Sequence, residues 1–405
     1  MFATPDRQAV ISEGRIMFRA SPLESVADAE RRARKRLPGV VYWFVHGGNQ
    51  EGVTARENVK AFSEIRFRAR IGNPPQETNT SVKVMGLNLS MPVILSPVTA
   101  HAVHSGGEVA IGRAAASADI AYGVSNFATE PVESVTAVNQ RTLAQLYWVG
   151  NRDQIAHRVE RAWKAGVRAL IVTMDWTHGY THDWATPPLL GQLDLKTFLR
   201  YSPLVVTKPR WVFDFVAAGG LPKLTLPNFA VPERQRWTLW EGTLEWIRTP
   251  LPTWDDLAWL RKQWKGSFMV KGVIHPDDAK RCVDLGADAL SVSNHGGNNL
   301  DGTIASVHAL PAIVQAVGGQ IDVLVDGGIR RGSDVVKALA LGAKAVLIGR
   351  PYVWAFGARG EAGVREILEV FRADIRQALL GLGVTSVADL TAEHVILPTK
   401  FGRYS

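Results

Sequence analysis

Short apolar runs recur along this chain, and most are followed by a stretch whose apolar positions return every three or four residues. The runs are "PVILSP" (92–97), "IAYGVSN" (120–126), "LAQLYW" (143–148), "ALIVTMD" (169–175), "SFMVKGV" (267–273), "ALSVSNH" (289–295), "DVLVDGG" (322–328) and "AVLIGR" (345–350). They are continuous rather than alternating, the pattern of parallel strands buried on both faces. Between them lie "GGEVAIGRAAASA", "NRDQIAHRVERAWKAG" and "GSDVVKALALGA", which have helical spacing; the last two carry a glycine at or near the C-cap. Eight strand–helix units predict an α/β protein, a (β/α)₈ TIM barrel. A doubly wound sheet needs a G-x-G-x-x-G turn after its first strand, and none is present.

Two regions fall outside the repeat. Residues 1–90 read as an N-terminal helical and hairpin lead-in, whose "SVKVMGLNLSMPVI" is placed to plug the barrel floor. Residues 91–405 read as the barrel, interrupted after strand four by an insertion at about 176–264, where a crossover needs only about a dozen residues. That insertion holds nine of the thirteen tryptophans. An excursion after a barrel strand lies at the C-terminal face, over the site. It is either a structural elaboration or a cover for substrate.

Composition narrows the class. Hydrophobic residues make up 46% and charged residues 21%, a globular balance without low-complexity tracts. The one cysteine, Cys282, excludes a disulfide framework and any multi-cysteine metal site, and its helical surroundings suit a buried residue better than a nucleophile. No metal site is expected. No signal-peptide core and no run of 18 apolar residues occurs, so a soluble cytoplasmic protein without a membrane span is the expectation. The net charge of +8 raises nucleic acid or an anionic membrane surface as a partner. Its densest run, "ERRARKRLP" (30–38), reads as the solvated face of an amphipathic helix starting near Ser25, with Ala33 and Leu37 inward. No zinc-finger, RNP or GXXG pattern accompanies it, and a phosphate-bearing ligand accounts for part of the excess more simply.

The chemistry arrives at the strand ends, where barrels bind ligands. Strand one closes in Pro97, Val98 and Thr99, and strand two in Ser125 and Asn126. Strand three carries Gln145 and Tyr147, strand four Thr173 and Asp175, strand five Lys271, and strand six Ser293 and His295. "DGGIRRGSD" brings Asp326, Gly328 and Arg330 from strand seven, and Gly349 and Arg350 close strand eight. Two glycine–arginine turns one unit apart supply the backbone N–H groups and guanidinium forks that phosphate needs. Lys271 suits either a Schiff base or a positive charge beside an anionic cofactor. His295 with Asp175 suits a base whose imidazolium a carboxylate orients.

Together, "SNHGG…LDG", "DGGIRRGSDV", "LIGRP", "QLYW", the "KGV" strand and "RLPGVVYWFVHGG…NVKAFSEI" resemble the FMN-dependent 2-hydroxy acid dehydrogenase/oxidase family, from about residue 25 to 400. The resemblance implies FMN in the barrel mouth, its phosphate held by Arg330, Gly328, Gly349 and Arg350 and its ribityl chain by Asp326 and Lys271. Pro97, Val98, Thr99, Ser125, Gln145, Thr173 and Ser293 complete the implied FMN cradle. It implies His295 as the base, Asp175 as its support, Tyr147 as a hydrogen-bonding partner of the substrate and Lys271 as the stabiliser of reduced flavin. It also implies a homo-oligomer, a tetramer, with an electron acceptor that one chain does not reveal.

Departures from the family bear on the substrate. The arginine that clamps the substrate carboxylate just after "HGG" is Asn298 here, the carboxylate-touching tyrosine is Phe44, and a further arginine is His182. The "PTA" element against the flavin is altered to "PVT". Losing a bidentate arginine and a phenol donor leaves a carboxylate poorly paired, at a cost of about 2–5 kcal/mol. An amide or lactam carbonyl suits Asn298, which both donates and accepts. This pattern, with the "TMDW" strand end and "KPRWVFDF…PTWDDLAWLR", resembles the mycofactocin-system branch of the family. That branch implies oxidative deamination of a peptide-derived aminolactam to an α-keto lactam, with hydride transfer to flavin N5. The tryptophans of the excursion, Trp176 and Trp184 among them, would then pack over the substrate. Rivals are a lactate-type enzyme in which Arg152, Arg200 or Arg210 replaces the lost arginine, a barrel of the IMP dehydrogenase type, which needs a loop cysteine, and an FMN carrier without chemistry.

Overall fold

The computed structural model describes residues 7–12, 15–72, 74–100, 102–176, 183, 202, 206–220 and 222–402, with the backbone alone for 7–20. Eight parallel strands close into a barrel. They are Val93–Leu95, Tyr122–Val124, Thr142–Leu146, Ala169–Thr173, Ser267–Val273, Ala289–Val292, Asp322–Asp326 and Ala345–Ile348. Seven fall within their apolar runs and the third starts one residue before its run, at Thr142, because a strand covered by side chains on one face and helices on the other has no polar side to alternate.

The two faces of these strands feed two cores. Outward residues pack against the surrounding helices, whereas Ile94, Leu143, Ile171, Met269, Leu324 and Leu347 fill the barrel interior. The antiparallel hairpin Val82–Val84 with Leu87–Leu89 closes the floor, adding Val84, Met85 and Leu89 to that interior cluster. Its tip is pinned by polar contacts: Met85 N donates to Asp322 at 2.8 Å, and Ser267 donates to Met85 O at 3.0 Å. With the floor sealed, the open end of the barrel is the one where the polar strand ends gather.

The basic run lies on the helix Val26–Arg36, capped by Ser25, with Ala33 and Leu37 buried as its spacing predicts. Cys282 is fully buried on the helix Pro276–Asp284, and burial raises its thiol to about 12, well away from nucleophilic use. Beyond strand four, the described part of the excursion forms the helices Pro209–Ala217 and Leu239–Arg248. A third helix, Trp254–Gln263, buries Leu257 and Leu260 in the outer core and packs beside Arg152–Lys164, so it occupies a ring position of the barrel itself. Among the described residues, no helix is long and apolar enough to cross a membrane.

Candidate active site

Strand register sets the first pair of groups. Lys271 lies level with Thr173 on one side and Ser291 on the other. The ladder then breaks at Gly272, which has φ +109°; a Cβ there would meet Asp175 Cβ at 2.4 Å. Only glycine lets strand five approach Asp175 this closely. One strand further on, His295 sits at φ +58°, an uncommon conformation for a residue with a side chain, and its N–H is held by Ser293 Oγ at 3.1 Å.

Asp175 and His295 meet at 3.0 Å through Oδ1 and Nδ1. Burial pushes the Asp175 carboxyl up, but the charge and hydrogen bond of His295, with the charge of Lys271, outweigh it and leave it below the ordinary value. An ionised carboxylate only accepts, so Nδ1 carries the proton and Nε2 presents its lone pair. Tyr147 OH lies 3.3 Å from that Nε2. Burial, then the Asp175 charge, raises the Tyr147 phenol, so it stays protonated and donates. The second carboxylate oxygen, Asp175 Oδ2, is buried without a partner.

Deeper in the mouth two chains of side chains run across neighbouring strands. Lys271 Nζ donates to Ser293 at 2.8 Å and lies 3.1 Å from Asp326, whose two oxygens also accept from Ser291 at 3.0 Å and Ser293 at 2.8 Å. On the other side, Gln145 donates to Thr173 at 3.0 Å and accepts from Ser125 at 3.4 Å, and Ser125 in turn lies 3.5 Å from Thr99. The structure therefore brings together Thr99, Ser125, Gln145, Thr173, Lys271, Ser293 and Asp326; Pro97 and Val98 flank Thr99 at the rim.

Strands seven and eight contribute two half-buried arginines. Arg350 donates to the carbonyls of Val45 (3.0 Å), Gly296 (2.8 Å) and Gly47, and to Asn298 Oδ1 at 3.3 Å. Arg330 donates to Ile329 O at 3.0 Å and lies over the ring of Trp354. Burial lowers Arg330 to about 10 and Arg350, which also faces the charge of Arg330, to about 9. Between them the backbone is tight: a Cβ on Gly328, at φ +84°, would meet Asn58 O at 1.9 Å, and one on Gly349 would meet Val98 at 3.3 Å.

The excursion reaches this site. Trp246, on the helix Leu239–Arg248, packs on Trp176 with ring centres 4.0 Å apart and planes tilted by 33°, and lies 4.7 Å from Tyr147. Trp176 meets the imidazole of His295 edge-on at 5.4 Å. Sequence reasoning named Trp176 and missed Trp246, because no spacing rule links so distant a helix to strand four. It also missed Asn58 and Asp301. Asn58 exchanges two hydrogen bonds with Asn294, and Asp301 accepts from Val53 N and Thr54 N at the start of the helix Val53–Glu64. Asn294 and Asp301 of the "SNHGG…LDG" signature thus fasten the His295 loop to the helix Val53–Glu64.

The sequence matches the FMN-dependent dehydrogenase family over residues 33–397. The chain belongs to that family. It is 49% identical over 380 residues to the pre-mycofactocin synthase of Mycolicibacterium smegmatis, covering 94% of this chain and 95% of that one. It is 36% identical to the L-lactate dehydrogenase of Pectobacterium atrosepticum, covering 93% and 98%. Among solved structures, the monotopic membrane protein (S)-mandelate dehydrogenase superposes with a TM-score of 0.83 at 31% identity, over 93% of this chain and all of that one. A mandelate oxidase variant solved with 2-hydroxy-phenylacetamide gives 0.72 at 32% identity, over 92% and 98%.

As an FMN-dependent oxidoreductase, this family member needs a pocket for a phosphate, and the residues present fit one. The hydrogen bonds of Arg330 and Arg350 go to carbonyls and an amide, and the carboxylates of Glu30 and Asp334 act on these cations by charge without pairing with them directly. A dianionic phosphate would supply a direct partner. Of the residues expected on the substrate side, Asn298 is half-buried and engaged by Arg350. Phe44 is 52% exposed on the helix Gly39–His46, and its ring makes none of the aromatic contacts with His295 that Trp176 and Tyr147 make. His182, Trp184 and Arg200 lie outside the described residues. Of the other replacement arginines, Arg152 is held by Asp256 at 2.8 Å, and Arg210 is exposed on the helix Pro209–Ala217. Arg158, buried near the end of strand three, gives its donors to Val149 O and Phe229 O.

Proposed function

We propose that this FMN enzyme acts in mycofactocin biosynthesis, oxidatively deaminating a peptide-derived aminolactam to an α-keto lactam. The observation that carries the reading is a contrast within one site. The proton-handling group of His295, Asp175 and Tyr147 is assembled beside Lys271, while the position after "HGG" holds a neutral Asn298. The 49% identity with pre-mycofactocin synthases over nearly the whole chain supports the same reading. The mandelate oxidase variant solved with 2-hydroxy-phenylacetamide adds support, since that ligand is the amide of a hydroxy acid.

The mechanism follows from the residues. Bound FMN supplies the two-electron acceptor. His295 Nε2 takes a proton as the amine-bearing carbon is oxidised, and the Asp175 carboxylate at Nδ1 stabilises the imidazolium that forms. Tyr147 donates to the substrate's oxygen from its position beside Nε2. Lys271, fixed by Ser293 and Asp326, would hold bound FMN and supply a positive charge that favours its reduced, anionic form. Water then hydrolyses the product imine to ketone and ammonia. Phe44, His182 and Asn298 are assigned to the substrate side in this reading, which also carries a cytoplasmic homo-oligomer on family resemblance.

The test is anaerobic reduction followed at the flavin absorbance, with the aminolactam beside L-lactate, glycolate and mandelate. Bleaching by the aminolactam alone supports the reading. Fast bleaching by a simple hydroxy acid means that another group clamps a carboxylate, and the protein is then a 2-hydroxy acid dehydrogenase.

A further inference from the structure

The excursion delivers one side chain whose contacts have no place in the mechanism above. Trp246 is 8% exposed, and its ring lies 4.0 Å from Trp176, 4.7 Å from Tyr147 and 5.1 Å from Phe127. Trp176 and Tyr147 each contact the imidazole of His295, at 5.4 and 6.3 Å between ring centres. Trp246 therefore leans on both aromatic neighbours of the base from behind.

The scaffold holding Trp246 is rigid. Its helix opens with a reciprocal cap, Thr238 N donating to Glu241 at 2.9 Å and Glu241 N to Thr238 at 3.3 Å. It ends where Gly150 N donates to Thr249 Oγ1 at 2.9 Å, one turn of chain beyond strand three. The segment leading to it is tied to the barrel by Asn228, which accepts from Val132 N at 2.9 Å and donates to Glu130 O at 3.1 Å, and by Arg161, which donates to Pro227 O at 2.6 Å. A side chain on a helix so fastened sets the position of what it touches better than one on a free loop.

We propose that Trp246 is a positioning and specificity residue. By stacking behind Trp176 and Tyr147, it holds the Tyr147 phenol toward His295 Nε2 and makes Trp176 a fixed flat wall. That wall selects substrates carrying an aromatic group within reach of Trp176 when the reacting carbon is at His295. This inference rests on His295 being the reacting base, as read above, and deepens that reading by naming what sets the substrate's shape.

The experiment uses the FMN-loaded enzyme and the variants W246A and W246F. Anaerobic flavin reduction is measured with the aminolactam and with the same lactam lacking its aryl group. W246A is expected to lose about tenfold or more in kcat/KM for the aryl substrate, with W246F recovering most of it, and less than about twofold for the aryl-free one. Equal losses on both substrates, or no loss on either, overturn the proposal. If no lactam reduces the wild-type flavin, the substrate assignment has failed independently, and the same ratio is read on phenyllactate against lactate. A measurement without substrate checks the stack. Two indoles this close couple their electronic transitions, and the Trp148–Trp259 and Trp163–Trp264 pairs contribute as well, so far-ultraviolet circular dichroism should show a couplet whose intensity W246F and W176F lower alike and W237F leaves unchanged. A couplet that neither W246F nor W176F changes, or loss of FMN from W246F, also overturns it.

Discussion

Asn298 accepts a hydrogen bond through Oδ1 from Arg350 Nη2 at 3.3 Å, so the residue after the base loop is tied to the arginine at the end of strand eight. A guanidinium only donates, which fixes the orientation of the amide: its oxygen faces Arg350 and its NH₂ faces away. The arrangement leaves the Asn298 NH₂ as the group that, in the proposed reading, meets a neutral carbonyl of the substrate.

Replacing it restores what the hydroxy acid enzymes possess. Asn298→Arg should raise flavin reduction by L-lactate or mandelate by about 10²-fold and lower that by the aminolactam by a similar factor, the value of a charge-assisted bidentate contact. Stopped-flow reduction at limiting substrate reads both. An unchanged preference would remove Asn298 from the substrate site.

Asp175→Asn should cut the rate of flavin reduction by about two to four orders of magnitude while leaving bound FMN in place. An amide can turn its NH₂ toward Nδ1 and drive the proton to Nε2, the nitrogen that must be free. Single-turnover reduction, beside the absorbance of the bound flavin, separates lost chemistry from lost cofactor.

The same carboxylate has a pH signature in stability. Its value in the folded chain lies below the 3.8 of the free group, so its ion pair stabilises the fold above that pH. The contribution disappears as pH falls through the lower folded value. The gap in melting temperature between wild type and Asp175→Asn should therefore narrow below about pH 4. A gap that widens with acid would contradict the pairing with His295.

Arg330 and Arg350 predict the behaviour of the protein stripped of FMN. Their burial holds both below the usual arginine range, so an anion between them relieves a desolvation cost. Millimolar phosphate should raise the melting temperature of the stripped protein more than chloride at equal ionic strength. Arg350→Met should abolish that rise and weaken FMN by about 10²-fold in a fluorescence titration.

Much of this was legible before any coordinates. The eight strands showed because burial on both faces leaves nothing polar to break an apolar run, and the strand ends showed because a barrel puts its polar residues there. The partners of those residues were less visible. Nothing in the spacing of "LWEGTLEWIR" says that Trp246 meets Tyr147, or that Asn58 pairs with Asn294, since both contacts join segments far apart in the chain. The boundary of the insertion was also blurred, because the barrel helix Trp254–Gln263 carries the same tryptophan-rich composition as the extra chain before it.

The floor of the barrel offers a test that separates fold from chemistry. Met85 sits at the tip of the plugging hairpin, 4% exposed, in contact with the interior cluster that includes Met269 and Leu324. Its backbone bonds to Asp322 and Ser267 persist in any substitution, so Met85→Ala removes only the packed side chain. Its cost should be about 2–5 kcal/mol of unfolding free energy, the usual range for emptying such a site. His295 and Asp175 lie at the opposite end of the strands, so the rate of flavin reduction by substrate should stay within about twofold of wild type at temperatures where the variant is folded. Denaturant unfolding and stopped-flow reduction on the same preparation give both numbers. A fall in rate that matches the loss of stability would mean that the floor and the mouth of this barrel are mechanically coupled.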